Sequence, residues 1–176
     1  MDTTSDSVRS LIRTKQYREF TPELVDEGQL RTLAEVARWT GSGGNSQPWR
    51  FVIVRDEPTI RRMAEIGMPQ TRALHTATAA LAISLPNDPE SEVITAYDEG
   101  RVAERVLIAA SSLGLGAGIT WVRGQFRSEI SRVLGVGDDR FVRTIIAIGH
   151  PTDAARAPRA APGQARLPLD QLVTWR

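Results

Sequence analysis

Cysteine is absent from this 176-residue chain. Disulfide frameworks, thiolate metal sites and cysteine nucleophiles are therefore excluded. Histidine is nearly as scarce, with His75 and His150 as the whole supply, too few for a multi-histidine metal centre within one chain. Aromatic residues make up 6%, and Lys15 is the sole lysine. An excess of one charge sign is missing too, because 22 basic residues face 21 acidic ones. That balance supplies no global field to recruit nucleic acid or a membrane surface. No apolar run reaches spanning length, since ATAALAISL stops at Pro86. The polar, acidic start MDTTSDSV lacks a basic-then-apolar leader pattern. A soluble, cytoplasmic protein is the expectation. The length predicts one domain over 1–176, large enough to bury its own core, with 151–176 as an extended C-terminal arm.

What is present begins with a loop. GSGGNSQPWRFVIV, residues 41–54, sets small residues, two amides and a proline directly before an aromatic and β-branched run. Glycine and serine let backbone approach a ligand closely, while Asn45 and Gln47 each carry a donor and an acceptor on one planar amide. A planar heterocycle with both kinds of edge suits such a loop. Gly-Gly-Asn-Ser also reads as a plain turn, with Gln47 closing a strand.

Around the loop, helices and strands alternate. Val8, Leu11 and Ile12 predict a first helix over 5–13. TPELVDEGQLRTLAEVARWT predicts a second, with Thr21 as N-cap, Pro22 at the first helical position and a stop at Gly41. WRFVIVRD reads as a strand covered on both faces, EPTIRRMAEIG as a short helix, and residues 80–85 as a strand. The longest helical pattern runs from Glu92 to a glycine stop at Gly114, with Val102, Val106, Ala109, Ala110 and Leu113 on one stripe. Its apolar content predicts burial on most sides. GITWV follows as a strand or extended loop, QFRSEISRVLGV as a short helix and RFVRTIIAIGHP as a core strand. TDAARAPRAAPGQA has no period and reads as a linker. The apolar RLPLDQLVTWR after it is expected to dock on another surface. The rhythm is not strictly βαβ, so the expectation is an α+β fold, a central mixed sheet flanked by helices.

Four stretches, taken in order and spacing, resemble the nitroreductase-like family of flavin enzymes: RTKQYREF, ARWTGSGGNSQPWRFVIV, AERVLIAASSLGLGAGITW, and TIIAIGHP with RLPLDQLV. The resemblance implies a dimeric nitroreductase-like fold with flavin mononucleotide (FMN) at the subunit interface. It also implies hydride transfer from NADH or NADPH through flavin N5 to a nitro compound, quinone or enone, in a ping-pong scheme. Such chemistry belongs to the isoalloxazine and requires no protein nucleophile.

Carried residue by residue, the likeness assigns Arg18 and Lys15 to the flavin phosphate and Gln16 to the ring. Thr14 stands where the pattern has an arginine and lacks its fork, which Arg13 is positioned to replace. Without the other motifs, this segment would read as a solvated helix end. Ser42, Asn45 and Gln47 would meet the polar edge of the ring from the neighbouring subunit. Ile119, Thr120 and Trp121 would pass N5 and offer backbone N–H, as an oxyanion hole does. Arg166 would close on the phosphate, and Gln164 stands where relatives carry lysine. GLGAG follows a helix and lacks the strand-turn-helix setting of a dinucleotide fingerprint. Trp49 and Phe51 read as core, Arg101 with Glu104 as a helix-surface pair, Tyr97 and Asp98 as helix caps, and both histidines as structural. Rival readings are a specialised flavin enzyme of the same fold, performing dehalogenation or an oxidative biosynthetic step, and a flavin-binding protein without turnover.

Overall fold

The computed structural model describes residues 5–157 and 166–176. Four strands form one sheet in the order β1-β2-β4-β3: β1 Arg50–Val54, β2 Ala79–Pro86, β3 Gly116–Trp121 and β4 Arg140–Gly149. Each described pairing is antiparallel, where a mixed sheet was expected. The helices are α1 Asp6–Arg13, α2 Glu27–Arg38, α3 Glu57–Ile66, α4 Glu92–Ser112, α5 Arg127–Val133 and the short α6 Asp153–Arg156.

Two-residue alternation along the central strands sorts their side chains into two layers. Leu81, Ile83, Ile146 and Ile148 meet Leu30 and Leu33 of α2 and Val102 and Val106 of α4 on one face. Ala80, Ala82, Ile145 and Ala147 meet Ile60 and Met63 of α3 and Ile130 of α5 on the other. Each fully buried Leu or Ile contributes about 1.5–3 kcal/mol of transfer free energy, so β2 and β4 anchor the molecule. A register shift between Ile83 and Ser84 turns Ser84 toward Arg140, whose Nε donates to Ser84 Oγ at 2.8 Å.

Further expectations require correction. Helix α2 begins at Glu27, not at Pro22, because Asp26 and Gln29 form a reciprocal capping box while Val25, 2% exposed, holds the preceding residues extended in the core. Strand β1 is not covered on both faces. It lies at the sheet edge and Ile53 is 38% exposed. Helix α4 is buried along one flank only, with Val93 83%, Ile94 61% and Tyr97 72% exposed. Tyr97 and Asp98 therefore lie inside α4 and cap nothing, and Arg101 pairs with Asp98 at 3.3 Å, not with Glu104. Among the described residues, no helix is long and apolar enough to cross a membrane.

Candidate functional site

After α1 the chain runs beside the outer edge of β3. The N–H of Tyr17 donates to Ala117 O at 2.8 Å, and the Gln16 side-chain oxygen accepts from Ile119 N at 3.1 Å. Phe20 bridges to Pro151 and packs over Gly149, where a Cβ would lie 2.9 Å from its ring. At Gly118 the approach is closer still, since a Cβ there would collide with Tyr17 O and Arg18 Nη1. Glycine at 118 is thus what lets residues 15–18 lie flat on the strand.

Within that segment the basic residues are positioned separately. Arg18 donates through Nη2 to Gln16 Oε1 at 2.6 Å and through Nη1 to Tyr17 O at 3.0 Å. Lys15 Nζ donates to the carbonyls of Arg156, 2.6 Å, and Ala157, 3.2 Å, at the end of α6. Thr14 Oγ1 donates back to Ser10 O at 3.0 Å. Arg13 closes α1 and is exposed.

Strand register decides which backbone groups of 119–121 face outward. Val122 N donates to Arg143 O of β4, and the β3–β4 pairs Thr120↔Ile145 and Gly118↔Ala147 follow in step. The alternation of an antiparallel ladder then points the polar backbone of Ala117, Ile119 and Trp121 away from β4. Ile119 N is taken by Gln16, so the outward donor at the end of the strand is Trp121 N. The Thr120 side chain is fully buried, donating to Ile145 O at 2.6 Å.

Ile119 and half-exposed Trp121 line a groove of about 430 Å³ with Ala96, Gly100 and Ala103 of α4. Its floor is ionic. Glu99 Oε2 meets Arg143 Nη2 at 2.6 Å, and Glu92 Oε1 meets Arg143 at 3.3 Å and Arg127 at 3.5 Å. Burial pushes the Glu99 carboxyl up from its ordinary range, against the opposing pull of Arg143.

The loop before β1 is placed elsewhere. Gly44, Asn45 and Gln47 all have positive φ, at 55°, 56° and 46°, a costly choice for two non-glycine residues. Ser42 Oγ accepts Gln47 N–H at 2.9 Å, and Gln47 Nε2 donates to Asn45 O at 3.2 Å. Asn45 and Gln47 project into solvent. Two side chains of other elements hold the loop ends. Asp98, 1% exposed, accepts Gly43 N–H at 3.1 Å, and Arg140 Nη2 donates to Pro48 O at 2.6 Å.

At 100° per residue, the α4 positions nearest this loop, 94, 98 and 101, lie about 180° around the helix from groove positions 96, 99 and 103. The structure therefore gathers Gln16, Arg18 and Ile119 into one cluster, groups Ser42, Asn45 and Gln47 into another, and sets α4 between them. Arg166 is exposed in the C-terminal arm. Gln164 lies outside the described residues.

Residues 13–82 match the Nitroreductase family. An NADH dehydrogenase of Thermus thermophilus is 28% identical, with 97% of this chain and 96% of that protein covered. An FMN reductase [NAD(P)H] of Bacillus subtilis is 27% identical, over 88% of this chain and 70% of that protein. A Desulfovibrio desulfuricans protein assigned as a nitroreductase and crystallised with FMN superposes with a TM-score of 0.82, at 24% identity, covering 99% of this chain and 98% of that one. The chain resembles the nitroreductase-like family.

Two residues of the candidate site escape a motif reading, Asp98 and Arg140. Asp98 had a signal. It stands beside Glu99 in the stripe that runs through Thr95, Val102 and Val106, where a carboxylate without a partner is costly. Arg140 had none, because its partners Pro48 and Ser84 are 92 and 56 residues distant.

Proposed function

We propose that the chain is an FMN-dependent NAD(P)H oxidoreductase that works as a homodimer with shared flavin sites. The nitroreductase-like family and the names of its relatives support the reaction class. The observation that carries the site assignment is the hydrogen bond between Gln16 Oε1 and Ile119 N, 103 residues apart in sequence. It brings a residue expected at the ring beside the strand end expected at N5.

Bound FMN supplies hydride chemistry, taking a hydride from NADH or NADPH and passing it to an electrophile such as a nitro group, quinone or enone. The residues present fit that group. The outward Trp121 N–H would be a hydrogen-bond donor toward the ring. Arg18 and Arg166 supply guanidinium forks for the phosphate, with Lys15 and Arg13 adding positive charge. Exposed Trp121 and the open groove leave room for the acceptor.

A second copy completes the site. Asn45 and Gln47 stand across α4 from Ile119 of their own chain, so they reach that ring only from a neighbour. The exposed Val93, Ile94 and Tyr97 of α4 and the exposed Leu167, Leu169 and Trp175 of the arm supply apolar surface of the kind that oligomers cover.

Anaerobic addition of NADH or NADPH to the purified yellow protein is expected to bleach the flavin absorbance, with colour restored by a quinone or nitroarene. Flavin that stays oxidised would leave a binding protein without turnover. Arg166→Ala should lower FMN retention by more than it alters the stability of the apoprotein, and equal loss of both would sink the phosphate assignment.

A further inference from the structure

The ionic floor of the groove continues into a second cavity. Arg127, which pairs with Glu92 and lies 5.0 Å over the Phe141 ring, is also a wall of a space of about 460 Å³ between α5 and the start of β4. Arg132, Arg140, Ser128 and Ser131 line it further, and Asp138 is the single carboxylate among its lining residues. Three guanidinium groups against one carboxylate make the lining positive. None of these residues belongs to the set assigned above to the flavin.

The cavity also holds donors that the fold does not use. Arg127 Nε is buried without a hydrogen-bond partner. The side chain of Arg132, exposed on α5, makes no hydrogen bond or ion pair among the described residues. Ser131 Oγ is buried and accepts Val142 N–H at 3.2 Å, which leaves its own proton to give. Arg140 is held below the ordinary guanidinium range by burial and by the nearby positive charge of Arg50. Buried donors and crowded cations are costly unless an anion or water answers them. Guanidinium forks and hydroxyls converging on one space suit the several acceptor oxygens of a tetrahedral dianion.

We propose that this cavity binds the phosphate group of a small molecule, with Arg127, Arg132 and the Ser131 hydroxyl as its donors. Because Arg127 separates the cavity from the groove beside Ile119 and Trp121, the phosphate can belong to a ligand whose other end lies in that groove. A phosphorylated nicotinamide coenzyme and a separate phosphorylated metabolite carry the same chemistry.

Calorimetric titration of the FMN-loaded dimer with inorganic phosphate, and separately with 2′,5′-ADP, tests the proposal. One site per chain is expected, weakened at least tenfold by Arg132→Ala and by Ser131→Ala, with flavin content unchanged. The Arg132 side chain is exposed and has no partner among the described residues, so its variant is expected to melt with the wild type. Tighter binding of 2′,5′-ADP than of phosphate, with KM for NADPH but not NADH raised in Arg132→Ala, assigns the phosphate to the coenzyme. Equal affinity for the two probes with an unchanged KM ratio assigns it to another ligand, and the site stands. No binding at millimolar phosphate, or identical titrations of wild type and Arg132→Ala, overturns it. A protein that fails to retain FMN yet loses phosphate binding on Arg132→Ala refutes the proposed function alone, and a yellow protein indifferent to phosphate refutes this site alone.

Discussion

Residues 14–20 and residues 41–48 are both assigned to the same cofactor in the proposed function, yet they are held by opposite means. The first lies along the edge of β3, recessed by Gly118, and bonds to that strand through Tyr17 N and Gln16 Oε1. The second stands clear of the sheet with three residues at positive φ, and side chains from α4 and β4 fasten its ends. A segment attached to a strand inherits the rigidity of the central sheet. A projecting loop must be stiffened by its own turns and tied by long-range polar contacts, but it can reach into a neighbouring subunit.

The largest break in this comparison is expected from Gly118→Val. The new side chain collides with Tyr17 O, expels residues 14–20 from β3 and costs about 3 kcal/mol, read by urea denaturation, with FMN retention lost as well. If the variant keeps both stability and flavin, residues 14–20 do not depend on that recess. Asp98→Ala attacks the other region. Removing a buried acceptor from Gly43 N–H and an ion partner from Arg101 costs about 2 kcal/mol. FMN binding should weaken while the Gln16–Ile119 contact and its amide protection in hydrogen exchange persist. Asp98→Asn, which keeps an acceptor oxygen, should recover most of that loss. Unequal damage to the two regions is the outcome that separates them.

The smallest expected effect serves as a control outside both regions. Asp56 caps α3, accepting Thr59 N–H at 2.9 Å, and its hydrogen bonds with Thr59 hold its carboxyl below the ordinary range. Asp56→Ala is expected to lower the melting temperature slightly through loss of the cap and to leave FMN binding as it was. Because the folded pKa is depressed, the contribution is present in full above the unfolded carboxylate value and fades as pH falls through the folded one. Stability curves of wild type and variant should therefore converge in acid. Glu99 carries the opposite sign. Its raised folded pKa means that the native state binds the extra proton, so its contribution to stability falls as pH rises above the ordinary glutamate range.

Much of the fold was legible along the chain because its signals are local. The stripe of α4 and the glycine at 114, φ 75°, mark that helix and its exit, and the apolar runs of β2 and β4 mark the two central strands. The start of α2 was misread where Thr-Pro competes with the Asp26–Gln29 capping box. Burial of Val25 decides between them, and burial is not a local property. The candidate site divides in the same way. Gln16, Arg18, Asn45 and Gln47 are visible as motif residues, whereas the tethers Asp98 and Arg140 act across 55 and 92 residues.

By itself the sequence determined the element order, the absence of thiol chemistry and of a multi-histidine centre, and the resemblance to the nitroreductase-like family, because composition, periodicity and short motifs are written along the chain. Only the tertiary structure decided which N–H of residues 119–121 faces outward, that α4 stands between the two groups of candidate residues, and that three arginines line one cavity. Strand register and helix packing set those relations, and both depend on contacts between residues far apart in sequence.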